Sequence, residues 1–175
     1  MHVAVIGRGN VGGGLARKWE RAGHTVTEIG RDGGDASAAD VLLVAVPSNL
    51  ITEALGRVGG IAGKVAIDAT NAFGGRDEQF ESLAHEVKAA VGGPVAKSFN
   101  LNFARLYDRV GEQDPPPGNL YAADEEAREV VEQLIRDAGY EPVSAGGLDR
   151  ARALEEHMAL LGAIGPSFYR YWEPD

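Results

Sequence analysis

Short apolar runs alternate with amphipathic stretches along the whole chain, and that rhythm predicts a mostly parallel sheet covered by helices. Strands are expected at 2–6, 24–30, 40–46, 64–69, 94–98, 119–123 and 141–144. The run Val41-Leu42-Leu43-Val44 is apolar on both faces and reads as a central strand. Between strands the spacing turns helical. Leu15, Ala16 and Trp19 share one face of a helix over 12–22 that Gly23 caps. A second helix, over 48–58, is expected to start at a Ser48 cap. Phe80, Leu83, Ala84 and Val87 align a third over 77–91, and Val130, Val131, Leu134 and Ile135 a fourth over 124–138. The last helix covers 148–164, ahead of an aromatic tail with Phe168, Tyr169, Tyr171 and Trp172. Segment 111–118 is rich in proline and glycine and reads as an exposed loop. Neither a repeat nor a long linker divides the chain, so one α/β domain over 1–175 is expected.

One interval is too short for the pattern. Only residues 32–39 separate the second predicted strand from the third, whereas a parallel crossover takes about a dozen residues or more. Eight extended residues reach about 25 Å, enough to recross the sheet but not to build another strand with its helix. The second strand then ends the sheet, with Gly33 and Gly34 at the shortcut. An exposed edge needs cover, and a second copy of the chain is the expected partner, giving a homodimer.

Directly after the first strand stands Gly7-Arg8-Gly9-Asn10-Val11-Gly12, a G-x-G-x-x-G run that opens a helix. Gly7 permits the tight turn, Gly9 lets the backbone approach a pyrophosphate, and Gly12 lets helix and strand pack closely. In that strand–turn–helix context the run predicts dinucleotide binding on a Rossmann-like, doubly wound sheet lacking its usual third strand and helix. The end of the second strand selects the dinucleotide. A carboxylate there favours NAD, but Gly30 occupies the place, followed by Arg31. Arg31 and Arg8 suit bidentate contacts to a 2′-phosphate, so NADP(H) is expected. Asp32 argues against it, and Glu28 would serve a ribose if the strand ended two residues earlier. Val46-Pro47 and Thr70-Asn71 end two central strands and face the same crevice, with Lys97-Ser98-Phe99-Asn100 on the next.

Composition narrows the partners. The 175 residues carry a net charge of −9, which argues against nucleic acid and anionic membranes. No apolar run approaches the roughly 20 residues that cross a bilayer, and the first strand starts at His2 with no leader ahead of it; the expected compartment is the cytoplasm. Zero cysteines exclude disulfides, thiolate metal sites and thiol nucleophiles. The 24 glycines are about twice the usual share.

These segments together resemble the NADPH-dependent deazaflavin reductases, the NADP oxidoreductase family that uses coenzyme F-420, and the related metalloreductase domains of ferric reductases. The resemblance covers Gly7–Gly12, 23–31, Val46-Pro47, 67–71, Ser82-Leu83-Ala84 and 97–100. It closes on Ala145-Gly146-Gly147-Leu148 and 151–155. It implies hydride transfer between NADP(H) and a deazaflavin or flavin, a small-molecule redox acceptor. Residues 1–100 would form the dinucleotide-binding core, and 101–175 would complete the sheet and the acceptor cleft. Gly7, Arg8, Gly9, Asn10, Val11 and Gly12 would hold the pyrophosphate and neighbouring groups, and Arg31 the 2′-phosphate. Val46, Pro47 and Ala69 would flank the nicotinamide, while Asn71, Phe99 and Asn100 would meet the acceptor. Hydride transfer asks for two stacked rings and excluded water, so no side chain is expected to act as acid, base or nucleophile. His85 reads as solvent-facing and His157 as packed. The competing reading is a non-catalytic NADP-binding module that reports redox state to a protein partner.

Overall fold

In the computed structural model, which describes residues 1–164, strand β1 (His2–Ile6) leads through a glycine turn into helix α1 (Asn10–Arg21). Strand β2 (Thr25–Ile29) returns beside β1 in parallel, and β4 (Val41–Val44) pairs with β1 on the other side. Strands β6 (Val65–Asp68) and β7 (Val95–Lys97) extend the parallel row. Strand β8 (Gly118–Ala123) runs antiparallel to β7, and β9 (Glu141–Gly146) lies parallel to β8. The sheet order is β2-β1-β4-β6-β7-β8-β9. It is a Rossmann-like, mostly parallel sheet that stops at β2, with no third strand beyond it among the described residues.

The shortcut is not wholly irregular. Its Gly34–Asp35 form a two-residue strand, β3, which pairs in parallel with β5 (Val58–Gly59) in a separate small sheet. The eight residues thus do build a strand, contrary to the reach argument, because the partner is a nearby turn and not the edge of the main sheet. Ala36, Ala39 and Val58 pack with Ile29, so this small sheet covers one face of the end of β2.

Every residue of β4 is fully buried, and alternate positions feed two cores. Val41 and Leu43 join Leu15 and Trp19 of α1 and the apolar face of α4 (Arg128–Asp137). Leu42 and Val44 join α2 (Ile51–Leu55), α3 (Leu83–Val91) and Ala151 of α5 (Ala151–Ile164). That two-sided burial is why β4 reads as uniformly apolar.

Helix starts differ from the expected ones for local reasons. Helix α1 begins at Asn10, two residues early, because Gly9 serves as its cap. Ser48 opens a 3-10 turn, Ser48–Leu50, and its hydroxyl accepts from the Gly74 amide at 3.1 Å in place of capping; α2 then ends at Leu55. Helix α3 starts six residues late, at the Ser82 cap whose oxygen accepts from the His85 amide, leaving Phe80 outside. A 3-10 turn, Glu125–Ala127, delays α4 to Arg128. Residues 111–112 of the expected loop end a 3-10 helix, Ala104–Glu112, that the apolar spacing did not announce. It packs on α1 where a side chain at Gly14 would meet the Tyr107 ring at 2.6 Å. Tyr107 and Tyr140 stack edge to face, and burial raises both phenols, that of Tyr140 to about 12. His85 is half-buried on the Ser82 hydroxyl, and His157 is exposed, not packed. The aromatic tail lies outside the described residues.

Candidate functional site

Register brings five strand ends level. Ile6 pairs with Ile29 and with Val44, Val44 with Asp68, and Asp68 with Lys97, so the chain leaves each strand along one line. In open α/β sheets ligands bind along this line of carboxyl ends.

The glycine run is built as its spacing predicts. Gly7 has φ +107°, and a Cβ there would lie 2.3 Å from the Ala45 carbonyl oxygen. A Cβ on Gly12 would lie 1.8 Å from the Gly7 oxygen and 3.1 Å from Val5. Gly9 differs from both: nothing lies within 4 Å of a Cβ built on it. As the α1 cap it offers no side chain, and the first turn holds no acidic residue. The positive end of α1 is therefore free to receive an anion.

Beside this loop runs a cleft of about 910 Å³. Gly7, Arg8 and Gly9 form one wall, 30–32 a second, 45–47 a third, and Glu53 and Arg57 close it from α2 and the adjoining turn. The Arg8 guanidinium covers Gly30, where any Cβ would lie 2.3 Å from its Nη2. A carboxylate-bearing residue at that strand end would displace it. Glu28 stands on the other face near Gly13 and does not line the cleft, which removes the alternative of a two-residue slip. Arg57 donates from Nη1 to the Arg31 carbonyl at 3.0 Å and pairs through Nη2 with Glu53 at 2.7 Å. Three guanidinium groups thus face two carboxylates, Asp32 and Glu53, and leave the cleft a net positive charge.

A second hollow, of about 330 Å³, adjoins the cleft and shares Ala45, Val46 and Pro47 with it. Val11, Ala69, Thr70, Asn71 and Phe73 line it, and none of its lining residues ionises. Beside it, on the ends of β6 and β7, is a buried ion network. Lys97 Nζ donates to Asp68 at 2.7 Å and to the Thr70 carbonyl at 2.6 Å, and it pairs with Glu155 at 3.2 Å. Glu155 also accepts from Arg76 at 2.8 Å and from the Leu83 amide at 3.0 Å. Two cations and two anions balance, as burial requires.

The sequence-predicted residues divide accordingly. Gly7, Arg8, Gly9 and Arg31 line the cleft, Val46 and Pro47 line both hollows, and Val11, Ala69 and Asn71 line the second. Asn10 and Gly12 line neither. Asn100 also stands behind the wall: its Nδ2 donates to Asn71 Oδ1 at 3.1 Å and to the Leu154 carbonyl at 3.2 Å, and its carbonyl accepts from Asn71. Phe99 does not face an acceptor. Its φ of +62° accompanies a ring that is 1% exposed and packed edge-on against Trp19 and Tyr140. Thr70, read from the sequence as facing the crevice, lines the second hollow beside Asn71. Residues missed in the sequence are Glu53, Arg57 and Phe73. Phe73 follows closely on a strand end that was correctly placed, which was signal enough; Arg57 comes from a turn with no motif.

Among the described residues no group of three acidic or histidine side chains could hold a metal, and no helix is long and apolar enough to cross a membrane. No family model matches the chain, and no curated protein matches it. Solved structures do. An Arthrobacter protein provisionally described as an F-420 dependent NADP reductase superposes with a TM-score of 0.77 at 22% identity, over 93% of this chain and 94% of that one. A hypothetical protein of Sinorhizobium meliloti gives 0.68 at 24% identity, over 85% and 86%. A reductive aminase of Aspergillus terreus, solved with NADPH and ethyl levulinate, gives 0.67 at 16% identity. That match covers 93% of this chain, which spans only 60% of the aminase. The chain therefore shares its fold with these solved structures, and the resemblance read from its motifs is borne out at the level of the fold.

Proposed function

We propose that the protein is an NADP-dependent oxidoreductase that passes hydride between NADP(H) and a deazaflavin or flavin. The observation that carries this is the bare, positive N-terminus of α1 opening on a cleft where the second strand ends in Gly30 under a guanidinium. NADPH bound there would supply a hydride from its C4–H bond, two electrons and one proton, and the acceptor would take a second proton from water. Gly7, Arg8, Gly9 and Val11 position the pyrophosphate and its neighbouring groups, Asn10 and Gly12 shape the turn, and Arg31 grips the 2′-phosphate. Val46, Pro47 and Ala69 give the nicotinamide an apolar wall that excludes water, with Asn71, held by Asn100, on the acceptor side. No side chain in the second hollow donates or accepts a proton, which suits a reaction that needs only alignment.

The dinucleotide core takes residues 1–100, and 101–175 complete the sheet and the acceptor cleft. The single domain would work in the cytoplasm as a homodimer, its edge strand β2 in need of cover. The main sheet's end at β2 among the described residues favours a second reading, a non-catalytic NADP-binding module acting on a protein partner. Stopped-flow absorbance separates the two. Mixing the protein with NADPH and a deazaflavin or FMN is expected to reduce the acceptor in step with NADPH loss. Saturation without transfer would leave only the sensor.

A further inference from the structure

The turn after β6 is anchored at three points, yet it holds a large aromatic ring out of the core. At its start, Asn71 exchanges hydrogen bonds with Asn100 at 2.8 and 3.1 Å. Midway, the Gly74 amide donates to the Ser48 hydroxyl at 3.1 Å. At its end, Arg76 is tied to the fully buried Glu155 at 2.8 Å. Between these anchors runs the 3-10 turn Ala72–Gly74, whose middle residue, Phe73, is 75% exposed. An isolated apolar side chain on a surface calls for no explanation by itself. This one belongs to the lining of the second hollow, and Thr70 of the same lining holds a hydroxyl that is buried and has no hydrogen-bond partner. That oxygen lies just beneath the lining of the hollow, screened from solvent, and an unpaired buried polar atom calls for a partner. An aromatic ring and a free hydroxyl on one hollow suit a flat heteroaromatic ring with polar atoms at its edge.

We propose that Phe73 is the stacking surface for the acceptor's ring, with the Thr70 hydroxyl meeting that ring's polar edge. The assignment rests on the reductase reading of the same site. It gives Phe73 the aromatic role expected of Phe99, whose ring is spent in the core. Stacking is tolerant of the ring's identity, so Phe73 confers affinity for flat acceptors as a class and leaves dinucleotide binding alone. The three anchors matter because a ring presented on a fixed turn loses little freedom when a ligand lands on it.

The test is a fluorescence titration of riboflavin, FMN and a deazaflavin into the full chain saturated with NADP⁺, which permits binding without turnover. Phe73→Ala is expected to weaken acceptor binding about tenfold, with Phe73→Trp restoring it and the NADPH dissociation constant unchanged in both. Equal acceptor affinity in wild type and Phe73→Ala would overturn the role of Phe73 while leaving hydride transfer standing. Absence of acceptor binding to the wild type would overturn it as well. Binding that depends on Phe73 but gives no turnover with NADPH would uphold the stacking surface and defeat the reductase reading.

Discussion

Gly30 decides more by what it lacks than by what it does. A side chain there would have to push the Arg8 guanidinium aside, so the strand end where NAD-preferring folds hold a carboxylate is here roofed by that guanidinium. Arg31 comes next, and Arg57 reaches the same spot from another element. Charge-assisted contacts to a phosphate are worth about 1.5–3 kcal/mol each. Arg31→Ala and Arg57→Ala should therefore each weaken NADPH by about tenfold or more, leaving NADH nearly as it was; equal losses for both would contradict the assignment. At this scale Gly7, Gly9, Gly12 and Arg31 were legible, because their spacing carries geometry. Arg57 was not, since nothing local marks a residue that meets the cleft only through the fold. Phe99 was misread because its left-handed backbone leaves no trace in an apolar–polar pattern.

Strands came out within a residue or two of their expected limits, since alternating burial fixes where a strand can sit; helix starts were off by up to six residues. The delay at α3 reflects the Ser82 cap, whose hydrogen bond outweighs the helical spacing of Phe80, and the delay at α4 reflects the 3-10 turn Glu125–Ala127 ahead of it. The more consequential element-level feature is the join between β6, β7 and α5. Lys97, Asp68 and Glu155 are all fully buried, so α5 is tied to the centre of the sheet by charge. Glu155→Ala would leave Lys97 short of one partner and Arg76 without its carboxylate. Breaking a buried pair in this way costs about 3–5 kcal/mol. Chemical denaturation should show a loss of that size, and a loss below about 1 kcal/mol would mean that water already reaches the network.

Seen whole, the molecule keeps the line of strand ends that a dinucleotide needs and, among its described residues, has no strand beyond β2. The small sheet of β3 and β5 takes over part of the missing cover, and it brings Arg57 with it, since Arg57 directly precedes Val58. The eight-residue interval announced the omission but not the substitute, because two-residue strands have no periodicity to read. What the shortened sheet retains is a phosphate loop whose central glycine borders open space. Everything proposed for the protein depends on that space receiving a pyrophosphate. The direct measurement is a calorimetric titration of wild type and Gly9→Val with NADPH and with NADH, alongside circular dichroism of both proteins. Wild type should bind NADPH more tightly than NADH, and Gly9→Val should bind neither while keeping the wild-type spectrum. Unchanged affinity in a folded Gly9→Val protein would contradict the dinucleotide site itself.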